Sequence, residues 1–162
     1  MDLKANLYLD RAENEIVLAK CNFEISKDIG LKKILKIPED KTFFNDVISQ
    51  CYYSIFYAAK AYLLTKGIIT APPEEHKKTY IQFKKIAISG ELDNQLLEIY
   101  EKEAEKAITL LGIFRWEKRK RGRFTYNVNS NANLPYAEES IKNAIKFASI
   151  IKAIVEKIKL KS

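Results

Sequence analysis

Apolar residues recur along this chain in steps of three and four, the spacing that collects them on one face of an α-helix. Ala5, Leu9, Ala12, Ile16, Ala19 and Phe23 predict a first helix. Phe44, Val47, Ile48, Cys51, Ile55, Ala58 and Tyr62 predict a second, with Asp40 as its N-cap and Gly67 just past its end. A shorter third helix follows Pro72-Pro73, with Glu74 and Glu75 at its positive end and Ser89-Gly90 closing it. Leu97, Tyr100, Ala104, Ala107, Leu111 and Phe114 mark a fourth helix. Ala137, Ile141, Ala144, Ala148, Ile151, Val155 and Ile158 mark a fifth. Residues 28–37 add a short helical turn before Pro38. No stretch alternates with the two-residue period of a strand. Long helices and short links predict an all-α fold, an antiparallel four- or five-helix bundle of up-and-down type.

One link departs from this pattern. Residues 120–135 contain Gly122, Asn127, Asn129, Asn131, Asn133 and Pro135, a polar, turn-forming composition between the fourth and fifth helices. The chain of 162 residues is expected to form a single domain over 1–162, large enough to bury a core without disulfides or metals. Apolar residues make up 47% and charged residues 30%, which excludes a disordered chain. Cys21 and Cys51 both lie in helical apolar patterns and read as buried, reduced thiols. Two separated cysteines and the one histidine fall short of a zinc set, so neither metal nor cofactor is expected. Met1 to Arg11 lacks the apolar stretch of a signal peptide, and no run reaches the roughly 18 apolar residues of a membrane span. A cytoplasmic protein is expected.

Charge then singles out one region. The formal net charge is +7. In 115–123, Arg115, Lys118, Arg119, Lys120, Arg121 and Arg123 stand against Glu117 alone. In 141–162 six lysines stand against Glu156. Without these two segments the chain would be mildly acidic. Such clustering attracts polyanions. The lysines of the last helix read first as its solvated face. The arginines exceed what a helix end needs, and their planar forks suit bidentate phosphate contacts. Trp116, Phe124 and Tyr126 lie among them, and aromatic rings beside arginines fit single-stranded RNA. Glu101, Glu103 and Glu105 have no His at the spacing of a helical metal pair, and they read as a solvated face. No Gly-rich phosphate loop or nucleophile elbow occurs.

The second helix is aromatic on more than one face, so it is expected to be deeply buried or to pair with a second subunit. Its small residues Ser54, Ala58 and Ala61 permit close helix approach, and its tyrosines read as packing residues. Tyr52-Tyr53-Ser54-Ile55-Phe56-Tyr57-Ala58-Ala59-Lys60-Ala61, ending at Lys66-Gly67, resembles the second-helix signature of HEPN-domain proteins. The nearest branch is the small stand-alone group related to the sacsin C-terminal domain. Glu75-His76-Lys77 followed by Phe83, and Arg121-Gly122-Arg123-Phe124-Thr125-Tyr126 before the last helix, are similar to that group's later motifs. The resemblance covers roughly 5–158.

This resemblance implies a helical bundle that forms a homodimer. Many such proteins are metal-independent endoribonucleases that use an Arg, four to six residues, then His, and others are toxin components paired with a minimal nucleotidyltransferase. Carried over, Arg121 and Tyr126 would be the catalytic pair, Arg115, Arg119, Arg121 and Arg123 would hold RNA or nucleotide phosphate, and His76 would be an accessory residue. Tyr126 stands where the family's His is expected, and a phenol with an unperturbed pKa of about 10 moves protons poorly near neutrality. Two readings therefore stand: a ribonuclease, and a non-catalytic RNA-binding or protein-interaction module.

Overall fold

In the computed structural model of the chain, residues 2–111 and 130–160 are described. They form six α-helices: α1 (Asp2–Lys27), α2 (Ile29–Ile34), α3 (Phe44–Thr65), α4 (Glu75–Ile88), α5 (Asn94–Leu111) and α6 (Leu134–Lys159). A 3-10 turn at Ser130–Asn133 leads into α6. No strand occurs among the described residues, and the all-α bundle expected from the helical spacing is the observed fold. The short turn expected in 28–37 is α2, capped by Asp28, whose carboxylate accepts the Leu31 N–H at 2.9 Å.

Side-chain contacts fix the directions of the long helices. Asn22 of α1 reaches Gln50 of α3, while Tyr8 stacks on Tyr57, so α1 and α3 run antiparallel. Lys152 of α6 meets Glu13 and Lys159 meets Asn6, so α6 also opposes α1. Lys106 of α5 reaches Ser140, and Tyr100 packs on Phe147, so α5 opposes α6. Helix α3 is central: it packs against α1, α4, α5 and α6 and is buried along most of its length by its own chain. Ser54, Ala58 and Ala61 are fully buried, as close helix approach requires. Phe83, Tyr100 and Phe147 form the aromatic centre of the core, with ring centroids 5.4–5.9 Å apart. Phe83→Ala in such a site would cost about 3–5 kcal/mol.

Helix ends show one agreement and one correction. Gly67 and Gly90 take positive φ of 73° and 85° just beyond α3 and α4, where an L side chain would be strained. Asp40, however, does not cap α3. The helix begins at Phe44, and hydroxyls from other elements satisfy its first N–H groups. Ser26 of α1 accepts the Phe43 N–H at 2.7 Å, and Ser130 accepts the Phe44 N–H at 3.1 Å. Caps supplied across the fold leave no local mark in the sequence.

Candidate functional site

Arg115, Arg119, Arg121, Arg123 and Tyr126 lie in 112–129, outside the described residues. The structure describes the frame on either side of them. Helix α5 leads the chain into this segment, and the 3-10 turn leads it out. Asn133 donates its side-chain amide to Asn45 Oδ1 at 2.7 Å, which ties the start of α6 to the start of α3.

Two turns back along α5, charge is buried in the seam with α6. Glu103 is fully buried and Lys106 almost so. The Lys106 ammonium donates to Glu103 Oε1 at 2.9 Å, Glu139 Oε2 at 2.8 Å and the Ser140 hydroxyl at 3.1 Å. Ser140 donates in turn to Glu103 Oε2 at 2.6 Å, and the Asn143 amide donates to Glu103 Oε1 at 2.8 Å. Burial alone would raise the Glu139 pKa, but hydrogen bonds from Lys102 and Lys106 outweigh it and hold that carboxyl below its ordinary value. Each ion thus has directional partners, the condition for keeping charges out of water without a large penalty.

This corrects the expectation of a solvated acidic face on α5. Glu103 lies three residues after Tyr100 and four before Ala107, on the core stripe. Glu101 is half-buried and bonds the Tyr80 hydroxyl and Lys84. The Cys51 thiol is buried, and burial, with the Glu103 carboxylate, pushes its pKa far above the ordinary thiol value. It is a packing residue, not a nucleophile. Cys21 is exposed, against the expectation of two buried thiols, because its position on α1 turns away from α3.

His76 lies in the first turn of α4, and the structure brings it to α3. Its ring stacks on Phe56 with centroids 3.9 Å apart, and its Nδ1 shares a 3.0 Å hydrogen bond with the Tyr52 hydroxyl. Burial lowers the imidazole pKa, and Lys60 lowers it further against the opposing effect of Glu75, so the ring is neutral at pH 7. Burial also keeps the Tyr52 phenol protonated, far above its ordinary titration range. Lys60, itself buried, pairs with Glu75 beside this stack. Burial pulls the Lys60 pKa down, and hydrogen bonds with Glu75 and Tyr8 more than restore it. Sequence reasoning had His76 and the tyrosines as separate features. The spacing from Tyr52 to Phe56, one helical turn, is the signal that could have joined them.

The second basic segment is partly neutralised. Lys142 pairs with Glu138 at 3.4 Å, and Lys152 pairs with Glu13 of α1. As expected for a solvated face, Lys142, Lys146, Lys157 and Lys159 are exposed or half-buried. Among the described residues no group of three His, Cys, Asp or Glu could hold a metal ion, and no helix is long and apolar enough to cross a membrane.

Comparison with known proteins agrees with this helical architecture at one level only. The family model described as "HEPN domain" matches residues 33–158, whereas no curated protein and no solved structure matches the chain. The match begins in α2, takes in the whole of α3, α4 and α5 and all but the last residue of α6, and includes the basic segment between α5 and α6. It covers most of the sequence, and the chain therefore belongs to the HEPN-domain family.

Proposed function

We propose that this protein binds RNA through Arg115, Arg119, Arg121 and Arg123 and cleaves it with Arg121 and Tyr126 as the reacting pair, without a metal. The observation that carries the reading is the family match running through this arginine-rich segment. In such a reaction the 2′-oxygen attacks the adjacent phosphorus and the 5′-oxygen leaves, giving a 2′,3′-cyclic phosphate and a 5′-hydroxyl. Arg121 stabilises the charge on the phosphorane, and the neighbouring arginines hold the strand. Tyr126 orients the phosphate and relays the proton lost by the 2′-hydroxyl to the departing 5′-oxygen. His76 supports the fold from α4 as an accessory residue. The buried Glu103–Lys106 seam favours this reading because it fixes the helices that flank the segment.

The active species is a homodimer in this reading. Helix α1 supports that part: Leu3, Leu7, Val17 and Leu18 are exposed large apolar residues on a helix whose inner face is already packed. Cys21, Ile25, Leu31 and Leu35 line an apolar groove beside them. The reading also places the protein in the cytoplasm, in the sacsin-related branch, as a toxin component whose partner is a minimal nucleotidyltransferase.

The test is incubation of the purified protein with single-stranded RNA in the presence of a chelator, over a range of pH. Cleavage that disappears in Arg121→Ala and leaves 2′,3′-cyclic ends supports the proposal. Intact RNA at every pH refutes catalysis. The second reading, a non-catalytic RNA-binding module, is favoured by one observation, Tyr126 in place of an imidazole. It expects salt-dependent binding that falls on charge reversal at Arg119, Arg121 and Arg123, with no cleavage.

A further inference from the structure

Helix α3 reaches the surface along one stripe only. Asp46, Ser49, Gln50, Tyr53 and Tyr57 are its half-buried or exposed positions before the last turn, spaced so that they share a flank, along with Asn45 at the helix start. Tyr53 and Tyr57 are joined there by Tyr8 of α1 and His76 of α4, all four rings half-buried. Tyr8 and Tyr57 lie nearly parallel, 13° apart with centroids at 6.1 Å. Tyr53 follows Tyr57 at 6.3 Å and 27°, and His76 meets Tyr53 edge-on at 5.6 Å. The exposed Arg11 holds its guanidinium 4.6 Å from the centre of the Tyr57 ring.

This shelf is supported by charge. The Lys60 ammonium lies 4.5 Å from the Tyr8 ring and 5.6 Å from Phe56, while pairing with Glu75 at the start of α4. The buried faces of α3 mix aliphatic residues such as Val47, Ile48 and Ile55 with rings, whereas the surface stripe carries Tyr53 and Tyr57 and no aliphatic side chain. Adjacent rings at the surface with a planar cation stacked on one of them present what an unpaired nucleobase seeks: π-faces, hydroxyls at their edges and a guanidinium that stacks and reaches phosphate. Lys4, exposed one turn before Tyr8, adds a second cation on the same flank of α1. A duplex keeps its bases within its own stack, so the occupant is a single strand. Tyr53 and Tyr57 lie within the matched range 33–158, but Tyr8, Arg11 and Lys4 lie in α1, outside it, so family membership does not account for the α1 half of the shelf.

We infer that Tyr8, Tyr53 and Tyr57, with Arg11, form a base-stacking shelf that holds one or two unpaired bases of a single-stranded RNA, apart from the arginine segment that holds its phosphates. The inference rests on the RNA reading above, and its test separates the two. Two oligoribonucleotides of equal length and charge, one carrying abasic riboses at its centre, are titrated by fluorescence anisotropy against wild type, Tyr53→Leu, Arg11→Gln and Arg121→Ala. Wild type should bind the abasic strand about ten-fold more weakly, the value of one lost stack. Tyr53→Leu and Arg11→Gln should erase most of that difference, while Arg121→Ala weakens both strands alike. Arg11 is exposed, so its variant reports on the shelf even if Tyr53→Leu fails to fold. If wild type binds both strands equally, the shelf is wrong and the RNA reading stands. If it binds neither, both fall. If the shelf variants change the oligomeric state on size exclusion and leave the base preference intact, the surface is a protein contact and the inference is overturned.

Discussion

The seam between α5 and α6 is filled with charge, whereas the flank where α1 and α4 meet α3 is filled with rings. In the first, Glu103, Lys106, Ser140 and Asn143 are linked by short, directional bonds. In the second, Tyr8, Tyr53, Tyr57 and His76 touch through faces and edges at 5.6–6.3 Å, with Arg11 lying on top. Saturated ion networks allow one arrangement, because any displacement strands a charge in a dry seam. Ring contacts are broad and shallow in energy, and a half-exposed ring can exchange one planar neighbour for another. Rigidity therefore sits beside the flanks of the arginine segment, and adaptability sits at the surface of α3.

The largest effect expected from this contrast is at Lys106. Lys106→Met leaves the Glu103 carboxylate buried without its cation and should cost about 3–5 kcal/mol of unfolding free energy. Urea denaturation measures it, and Glu103→Leu combined with Lys106→Met should recover most of the loss. A single-variant cost below about 1 kcal/mol would remove the lock from the comparison.

Lys60 sharpens the same point by burial alone. Its side chain is 7% exposed, close to the 4% of Lys106, but its partner Glu75 is 25% exposed where Glu103 is 0%. After Lys60→Met the Glu75 carboxylate can turn to water, so the expected cost is about 1–2 kcal/mol. A cost equal to that of Lys106→Met would show that the carboxylate's access to solvent does not decide the outcome. Smaller still, Tyr57→Leu gives up ring contacts with Tyr8 and Tyr53 while keeping apolar bulk, and should cost about 0.5–1.5 kcal/mol in the same assay.

The contrast also explains what could be read from the sequence. The helices were legible because each buries a stripe with the helical period, and the stripes from Ala5 to Phe23 and from Ala137 to Ile158 needed no other knowledge. Glu103 was not, because a glutamate in a row of glutamates and lysines looks solvated until its register against Tyr100 and Ala107 is weighed above its charge. The cap of α3 was not, because Ser26 and Ser130 come from elsewhere in the chain. The tyrosines were read as packing residues, and Tyr52 and Tyr62 are that. Tyr53 and Tyr57 differ only in facing the one stripe of α3 that neither α1 nor α4 closes over.

His76 provides the finest test, because it joins the ring flank to solution pH. Burial lowers its folded pKa below the ordinary imidazole value of about 6.5. Between the two values the unfolded chain binds a proton that the native ring refuses, so the native state loses stability as pH falls through about 6.5. The loss levels off once pH drops below the folded pKa, where both states carry the proton. Urea midpoints measured from pH 7.5 down to 5 should therefore decline, and His76→Gln should flatten that part of the profile. The imidazole resonances should titrate below the unfolded value in the same window. Carboxylates with lowered folded pKa, such as Glu139, lose their contribution only at lower pH, so the two parts of the profile separate. If the ring flank is the adaptable region, a bound single strand should move the His76 resonances while leaving the stability cost of Lys106→Met unchanged.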